Sequence, residues 1–311
     1  MARVTFARLM EDAERRGYAV GYFESWNMES LLAVADAAEA ARSPVILGFS
    51  GIALPRKDRL MPEHLADYAA LGASVCDRIS VPACLLFNES PSFDWVVEAV
   101  QRGFGLVMFA DEETSYDGLV ETTRKICRLA HAASAAVEGE PHSLPGVAGD
   151  LLSAPGERHM TDPGLARQFV QETGIDAIAV NVGQAHLHGR GEIRLDLDRV
   201  AELKRAVNVP LALHGATSVS RGDLREAIRR GARKINVGSA LKRACIESMR
   251  TVCAGIGPDY NPYKVVGSGL ANDVMVACRR AVQEVTRGYL ELFGSAGKAD
   301  GFQSLGSIHR R

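Results

Sequence analysis

The run Ala177-Ile-Ala-Val-Asn-Val-Gly-Gln-Ala-His186, answered by Val209-Pro-Leu-Ala-Leu-His214-Gly-Ala-Thr-Ser218, decides how this chain is read. Each is a short, largely apolar run that ends in a histidine with glycine close by, the pattern of a buried parallel strand. The C-terminal ends of such strands are where an α/β barrel carries its chemistry. Two imidazoles delivered from two strand ends could hold one divalent metal. Taken singly, each histidine reads better as a structural residue of the core; their matching positions and surroundings reverse that in favour of the paired reading.

The same rhythm extends in both directions. Strands are expected at Tyr18–Phe23, Pro44–Ser50, Val81–Phe87, Gly105–Phe109 and Ser134–Glu138, then at the two histidine runs, and last at Lys234–Val237. Helical spacing fills the intervals, as in Met28–Ala41, His64–Ile79, Phe93–Arg102, Tyr116–Ala133, Pro163–Thr173, Leu197–Val207 and Ser220–Arg230. Strand-to-strand distances of roughly 20 to 40 residues suit βαβ units and a closed parallel sheet. The expected fold is therefore a single α/β domain over 1–311, a (β/α)8 TIM barrel with additional C-terminal helices between Ala240 and Phe293. A doubly wound open sheet is the alternative, but no G-x-G-x-x-G follows the first strand. The Gly139–Thr161 stretch breaks the rhythm with Pro, Gly and Ser, and a loop of that length usually serves function.

Composition narrows the classes. A formal charge of −2 gives no basic field for nucleic acid. No apolar run approaches the ~20 residues that span a bilayer, so no membrane partner is expected. The start, Met1-Ala-Arg-Val-Thr-Phe6, lacks the apolar core of a signal peptide. Six cysteines without a C-x-x-C pair are expected to be reduced and mostly buried, which points to the cytoplasm.

In a barrel, the residues just after the strands share one mouth: Glu24, Ser50, Asn88, Glu89, Asp111, Glu112, Glu138, Glu140, His186, His214 and Asn236. Carboxylates at that density repel one another unless a cation is present, so a metal is the physical solution. The turns Gly215-Ala-Thr-Ser218 and Gly238-Ser239 feed helix N-termini, and their N–H groups make a candidate site for phosphate or carboxylate.

These residues resemble the class II, metal-dependent ketose-bisphosphate aldolases, the fructose- and tagatose-bisphosphate aldolase group. The likeness is nearly end to end, from Gly17-Tyr-Ala-Val-Gly-Tyr-Phe23 and Gly103-Phe-Gly-Leu-Val-Met-Phe109 through Val209–Gly215 and Lys234-Ile-Asn-Val237 to Leu292-Phe-Gly-Ser-Ala-Gly-Lys298. It implies a barrel, a metal held by three histidines, cleavage of a carbon–carbon bond through a metal-held enediolate, and a homodimer or homotetramer. The departures are as informative. Where the family has His-x-Asp-His after the third strand, this chain has Leu86-Phe-Asn88-Glu89. The family's strand-one asparagine is Glu24, and its loop glutamate falls near Ala148. The glycine after the sixth-strand histidine is Leu187, which a two-residue slip to His188-Gly189 would restore. The Gly-Gly-Ser turn is Gly215-Ala216-Thr217.

The expected metal ligands are thus His186, His214 and Glu89, on one divalent ion. Zinc is the family's metal; a carboxylate in place of a ring favours manganese or iron. The alternative is that Glu89 ligates nothing and the metal is lost. Candidate catalytic groups are Asn88, Glu24, Glu140 and Asp111; Ser50, Gly215, Thr217, Ser218, Asn236, Gly238 and Ser239 are expected to bind substrate or its phosphate. The leading function is a divergent lyase on a phosphorylated or acidic sugar or a related ketose. An epimerase or isomerase, and a non-catalytic sugar-phosphate-binding homologue, are the alternatives.

Overall fold

The computed structural model describes residues 3–144, 160–186 and 191–302. Ala148 and the Leu187–Gly189 stretch lie outside the described residues. Eight parallel strands close into a barrel in chain order: β1 (Val20–Ser25), β2 (Val45–Ser50), β3 (Ala83–Ser90), β4 (Leu106–Phe109), β5 (Ala136–Gly139), β6 (Ala177–Ala179), β7 (Leu211–Leu213) and β8 (Ala232–Val237). The first and last strands pair directly, Tyr22 opposite Asn236. Each strand leads to a helix on the outer face, and a broad apolar layer lies between the two.

The barrel interior is graded along its axis. At the bottom, the helix Phe6–Arg16 is capped by Thr5 and ended by Gly17 in the left-handed region, φ 69°. It packs Phe6, Leu9 and Met10 with Tyr18, Val20, Ile46, Cys84 and Leu106. Higher up, inward positions turn polar: Asn88, Glu138, His214, Lys234 and Asn236 are all buried. Because inward positions alternate along a strand, Lys234 and Asn236 share the inner face of β8.

Two expectations need correction. His186 does not end a strand, because β6 stops at Ala179. The backbone beyond it is taken up by side chains: Asn181 N–H donates to Thr161 Oγ1 (2.9 Å), Val182 N–H to Gln184 Oε1 (2.7 Å), and the Gln184 amide to Val180 O (2.6 Å). That stapled turn carries His186 on a loop. Nor are all six cysteines thiols. Cys245 and Cys278 form a disulfide between the helices Ser239–Ala254 and Val274–Leu292, which pack together. Cys76, Cys84 and Cys127 are buried thiols, pushed up to about 12 by burial, and Cys253 is exposed. Among the described residues, no helix is long and apolar enough to cross a membrane.

Candidate active site

The mouth of the barrel is divided. A cavity of about 480 Å³ is lined by Glu24 from β1, Ser50 from β2, Asn88 and Glu89 from β3, His186, His214, and Asn236 from β8. Gly215, Thr217 and Ser218 after β7, and Gly238 and Ser239 after β8, complete the same wall. A second cavity, of about 360 Å³, lies over β4 and β5 and holds Asp111, Glu112 and Glu140. The residues expected to share one mouth are thus spread over more than one cavity. Asp111 and Glu140 do not line the cavity of the histidines.

His214 follows β7 directly, and its ring is clamped between two carboxylates. Nε2 lies 2.8 Å from Glu138 Oε1, and Nδ1 lies 3.2 Å from Glu89 Oε1. Burial works to lower the His214 pKa, but the charge of Glu89 and the hydrogen bonds to Glu138 and Glu89 outweigh it and push it up to about 10. Burial likewise works to raise Glu89. The charge and hydrogen bond of His214, with His186 and Lys234 adding, bring it instead down to about 2. Glu138 is not at a solvated mouth. It lies within β5, 0% exposed, with Lys234 Nζ at 2.9 Å from Oε2 and 3.1 Å from Oε1. Despite burial, that ammonium holds the Glu138 carboxyl below its ordinary range. Lys234 also donates to Asn236 Oδ1 (2.5 Å) and sits 5.3 Å from the centre of the Tyr22 ring.

Glu89 is reached by an irregular strand end. The β3–β4 register shifts between Phe87 and Ser90, and Glu89 has φ +53°, a conformation that side-chain-bearing residues adopt at a cost. The Asn88 amide donates to Glu89 Oε2. Glu24 pairs with Lys242 in the first turn of the helix Ser239–Ala254. A Cβ at Gly238 would lie 3.0 Å from Glu24 Oε2, so glycine leaves the room this carboxylate uses. The two glycine turns are tied together, Ala240 N–H donating to Thr217 Oγ1 (3.3 Å).

The donor set suits a cation at the Glu89 side of His214. An N···O separation of 3.2 Å is long for a charge-assisted hydrogen bond, ~2.7–2.9 Å. It is close to the edge, roughly 3.3 Å, of a tetrahedron built on ~2.0 Å metal–ligand bonds. Glu138 on the opposite nitrogen is the outer carboxylate that metal-bound histidines usually carry. Asn88 Oδ1 and Asn236 Nδ2, both lining this cavity, are buried with no hydrogen-bond partner among the described residues. The three expected ligands are not drawn together as one cluster, however: no group of three or more His, Cys, Asp or Glu that could hold a metal occurs among the described residues. His186 lines the cavity and acts on Glu89 by charge.

Sequence reasoning passed over Lys234, Tyr22, Lys242 and the cavity-lining Arg56 and Arg243. Only Lys234 left a signal, a charge within a buried strand, two residues from Asn236 and so on the same face.

The sequence profile of a family described as class-II fructose-bisphosphate aldolase matches residues 4–298. The chain is 30% identical to a probable fructose-bisphosphate aldolase of Bacillus subtilis, covering 96% of this chain and 100% of that one. It is 29% identical to the fructose-bisphosphate aldolase of Thermus caldophilus, over 95% and 99% of the two chains. Among solved structures it is similar to the YdjI aldolase of Escherichia coli K12, with a TM-score of 0.76 and 28% identity over 95% and 99% of the two chains.

Proposed function

The chain belongs to the class-II fructose-bisphosphate aldolase family, and from that premise we propose a divergent metal-dependent lyase. It makes or breaks a carbon–carbon bond in a sugar phosphate, a sugar acid or a related ketose. The observation that carries the reading is the 3.2 Å gap between His214 Nδ1 and Glu89 Oε1. In the metal-free chain the protonated ring bridges Glu138 and Glu89; once Nδ1 gives up its proton, its lone pair and the Glu89 carboxylate are two acceptors that a divalent cation would join.

His214 and Glu89 would hold a divalent ion, with His186 closing on it; zinc is our first choice, manganese and iron the alternatives. When bound, the ion supplies the electrophilic charge that carbon–carbon cleavage beside a ketone needs. The remaining work falls to the chain's own groups. The Gly215–Ser218 and Gly238–Ser239 turns bind the anionic or hydroxylated end of the substrate, and Ser50 and Asn236 orient it. Asn88 cannot carry a proton, so proton transfer passes to a carboxylate. Glu24 is best placed, lining the same cavity. Glu140 is pushed up to about 8, burial first and the charges of Glu89 and Glu138 adding to it against the pull of His214, and can hold a proton near neutral pH. It would act from the adjoining cavity, with Asp111 beside it.

The presence of Asn88 where a proton carrier is expected favours a second reading, an epimerase or isomerase that leaves the carbon chain intact. Purified protein loaded with Zn2+, Mn2+ or Fe2+ and incubated with a panel of ketoses and ketose phosphates separates the two. Trapped aldehyde and a falling carbon count support the lyase. A changed sugar with constant carbon count supports the isomerase. Protein that takes up none of these ions overturns the metal-dependent reading.

A further inference from the structure

A wholly buried ion pair is an unexpected thing to find inside a barrel. Lys234 and Glu138 are both 0% exposed and face each other across the interior from β8 and β5. Removing two charges from water costs about as much as their attraction returns, and well-packed apolar side chains of the same volume usually serve stability better. The pair therefore calls for a role other than holding the barrel together, and its contacts supply one.

We infer that Glu138, clamped by Lys234, is a positioning residue that fixes the tautomer of His214 and so decides which ring nitrogen faces the cavity. This rests on the proposed metal-dependent reading. Both oxygens of Glu138 lie within reach of Lys234 Nζ, at 2.9 and 3.1 Å. Oε1 also faces His214 Nε2, at 2.8 Å. With an ammonium donating to it at those distances, the carboxylate stands as an acceptor toward the ring. A neutral His214 with its proton on Nδ1 would set the Nε2 lone pair against that oxygen at hydrogen-bond distance, two acceptors in contact. With the proton on Nε2 the contact becomes a charge-assisted hydrogen bond. The Nδ1 lone pair is then left on the side of Glu89, where a cation would complete the set.

Lys234 enters in two ways. Its ammonium occupies both Glu138 oxygens so that they accept rather than donate, and it pins the carboxylate so that it cannot turn toward the cavity and compete for the ion. Its third contact, to Asn236 Oδ1, orients an amide that lines the cavity. The device thus links the floor of the site to its wall through four side chains: Asn236, Lys234, Glu138 and His214.

The test uses Co2+ as the probe, because its visible absorption reports both binding and coordination, with the full-length protein and the variants Glu138→Gln, Lys234→Met and the double variant. Glu138→Gln is expected to weaken Co2+ binding by ~10–100-fold, the usual cost of losing an outer carboxylate on a metal-bound histidine. Lys234→Met should weaken it in the same direction. Each single variant buries one charge without its partner and should unfold at lower temperature; the double variant removes both charges and should recover thermal stability. It should not recover Co2+ affinity, a separation that a merely structural pair would not produce. Should the single variants fail to fold, long-range 1H–15N correlation of the Zn2+-loaded wild type gives the answer directly, with the proton expected on Nε2 and the metal on Nδ1. Wild-type affinity in the folded Glu138→Gln variant, or a metal on Nε2, overturns the inference alone. A wild-type protein that takes up no Co2+ overturns the metal-dependent reading as well.

Discussion

The two sides of the cavity that holds His214 are built differently. On the β7–β8 side, the pairing shifts register between Leu211 and Ala212, at the start of β7, and toward the mouth Lys234, Glu138 and His214 form one continuous network of paired charges. On the β3 side, the strand slips register, Glu89 sits at φ +53°, and Asn88 keeps a buried oxygen without a partner among the described residues. The departures read from the sequence fall on both sides, Asn88 and Glu89 on β3 and the Gly215-Ala216-Thr217 turn after β7. Strained and unsatisfied groups persist when surrounding structure holds them in place, and they gather at functional sites. The comparison teaches that the frame aiming His214 is charge-paired, whereas the strand end it faces is strained.

The largest predicted effect breaks the charge-paired side. His214→Ala should remove tight metal binding and lower kcat/KM by at least ~10³-fold, the equivalent of about 4 kcal/mol of electrostatic stabilisation. Metal analysis of the purified variant beside steady-state kinetics checks it; retention of stoichiometric metal would place the ion elsewhere. On the strained side, Glu89→Gln keeps shape and removes charge. A charged contact of this kind is worth ~1.5–3 kcal/mol, so metal affinity should fall by roughly 10–100-fold. If Glu89 ligates nothing, the affinity stays at the wild-type value.

The second cavity gives a pH signature that sharpens the contrast. Glu138 is depressed by Lys234, whereas Glu140, two residues on in the chain, is raised from 4.5 to about 8 by burial and by the charges of Glu89 and Glu138. A carboxyl raised in the folded state contributes stability that is fully present below the unfolded pKa near 4.5. That contribution is lost as pH rises through the folded value near 8. Metal-free protein should lose stability across that window, with a slope from this group of at most ~1.4 kcal/mol per pH unit. Denaturant unfolding of Glu140→Gln from pH 5 to 8.5 should show the slope reduced; an unchanged slope would mean that Glu140 is already ionised at neutral pH.

How much of this was legible in the sequence follows from what each feature depends on. The barrel was legible because alternating apolar strands and amphipathic helices are local patterns. His214 was legible because a histidine straight after a buried strand can only stand at the mouth. His186 looked the same and was not, since Asn181 and Gln184 end the strand with side-chain hydrogen bonds that no periodicity reports. The placing of Asp111, Glu112 and Glu140 in a second cavity was hidden because it depends on tertiary packing that no local pattern reports. The Cys245–Cys278 pair spans 33 residues and two helices, and spacing alone could not join it. Lys234 was overlooked because a strand read for apolar content hides the charges in it.

The smallest effect isolates the strain on the β3 side from its chemistry. Glu89→Ala and Glu89→Gly both delete the carboxylate, so both lose whatever Glu89 gives to a metal or to His214. They differ only at the backbone. In an ordinary strand position alanine is the more stable of the two by ~0.5–1 kcal/mol. At φ +53° the order should reverse, because a Cβ in the left-handed region costs roughly 1–2 kcal/mol that glycine avoids. Chemical denaturation of the metal-free pair should therefore place Glu89→Gly above Glu89→Ala by about 1 kcal/mol. Alanine ahead would mean that the strand end relaxes once the carboxylate is gone. The left-handed turn would then be imposed by Glu89 reaching for His214 rather than by the fold around it.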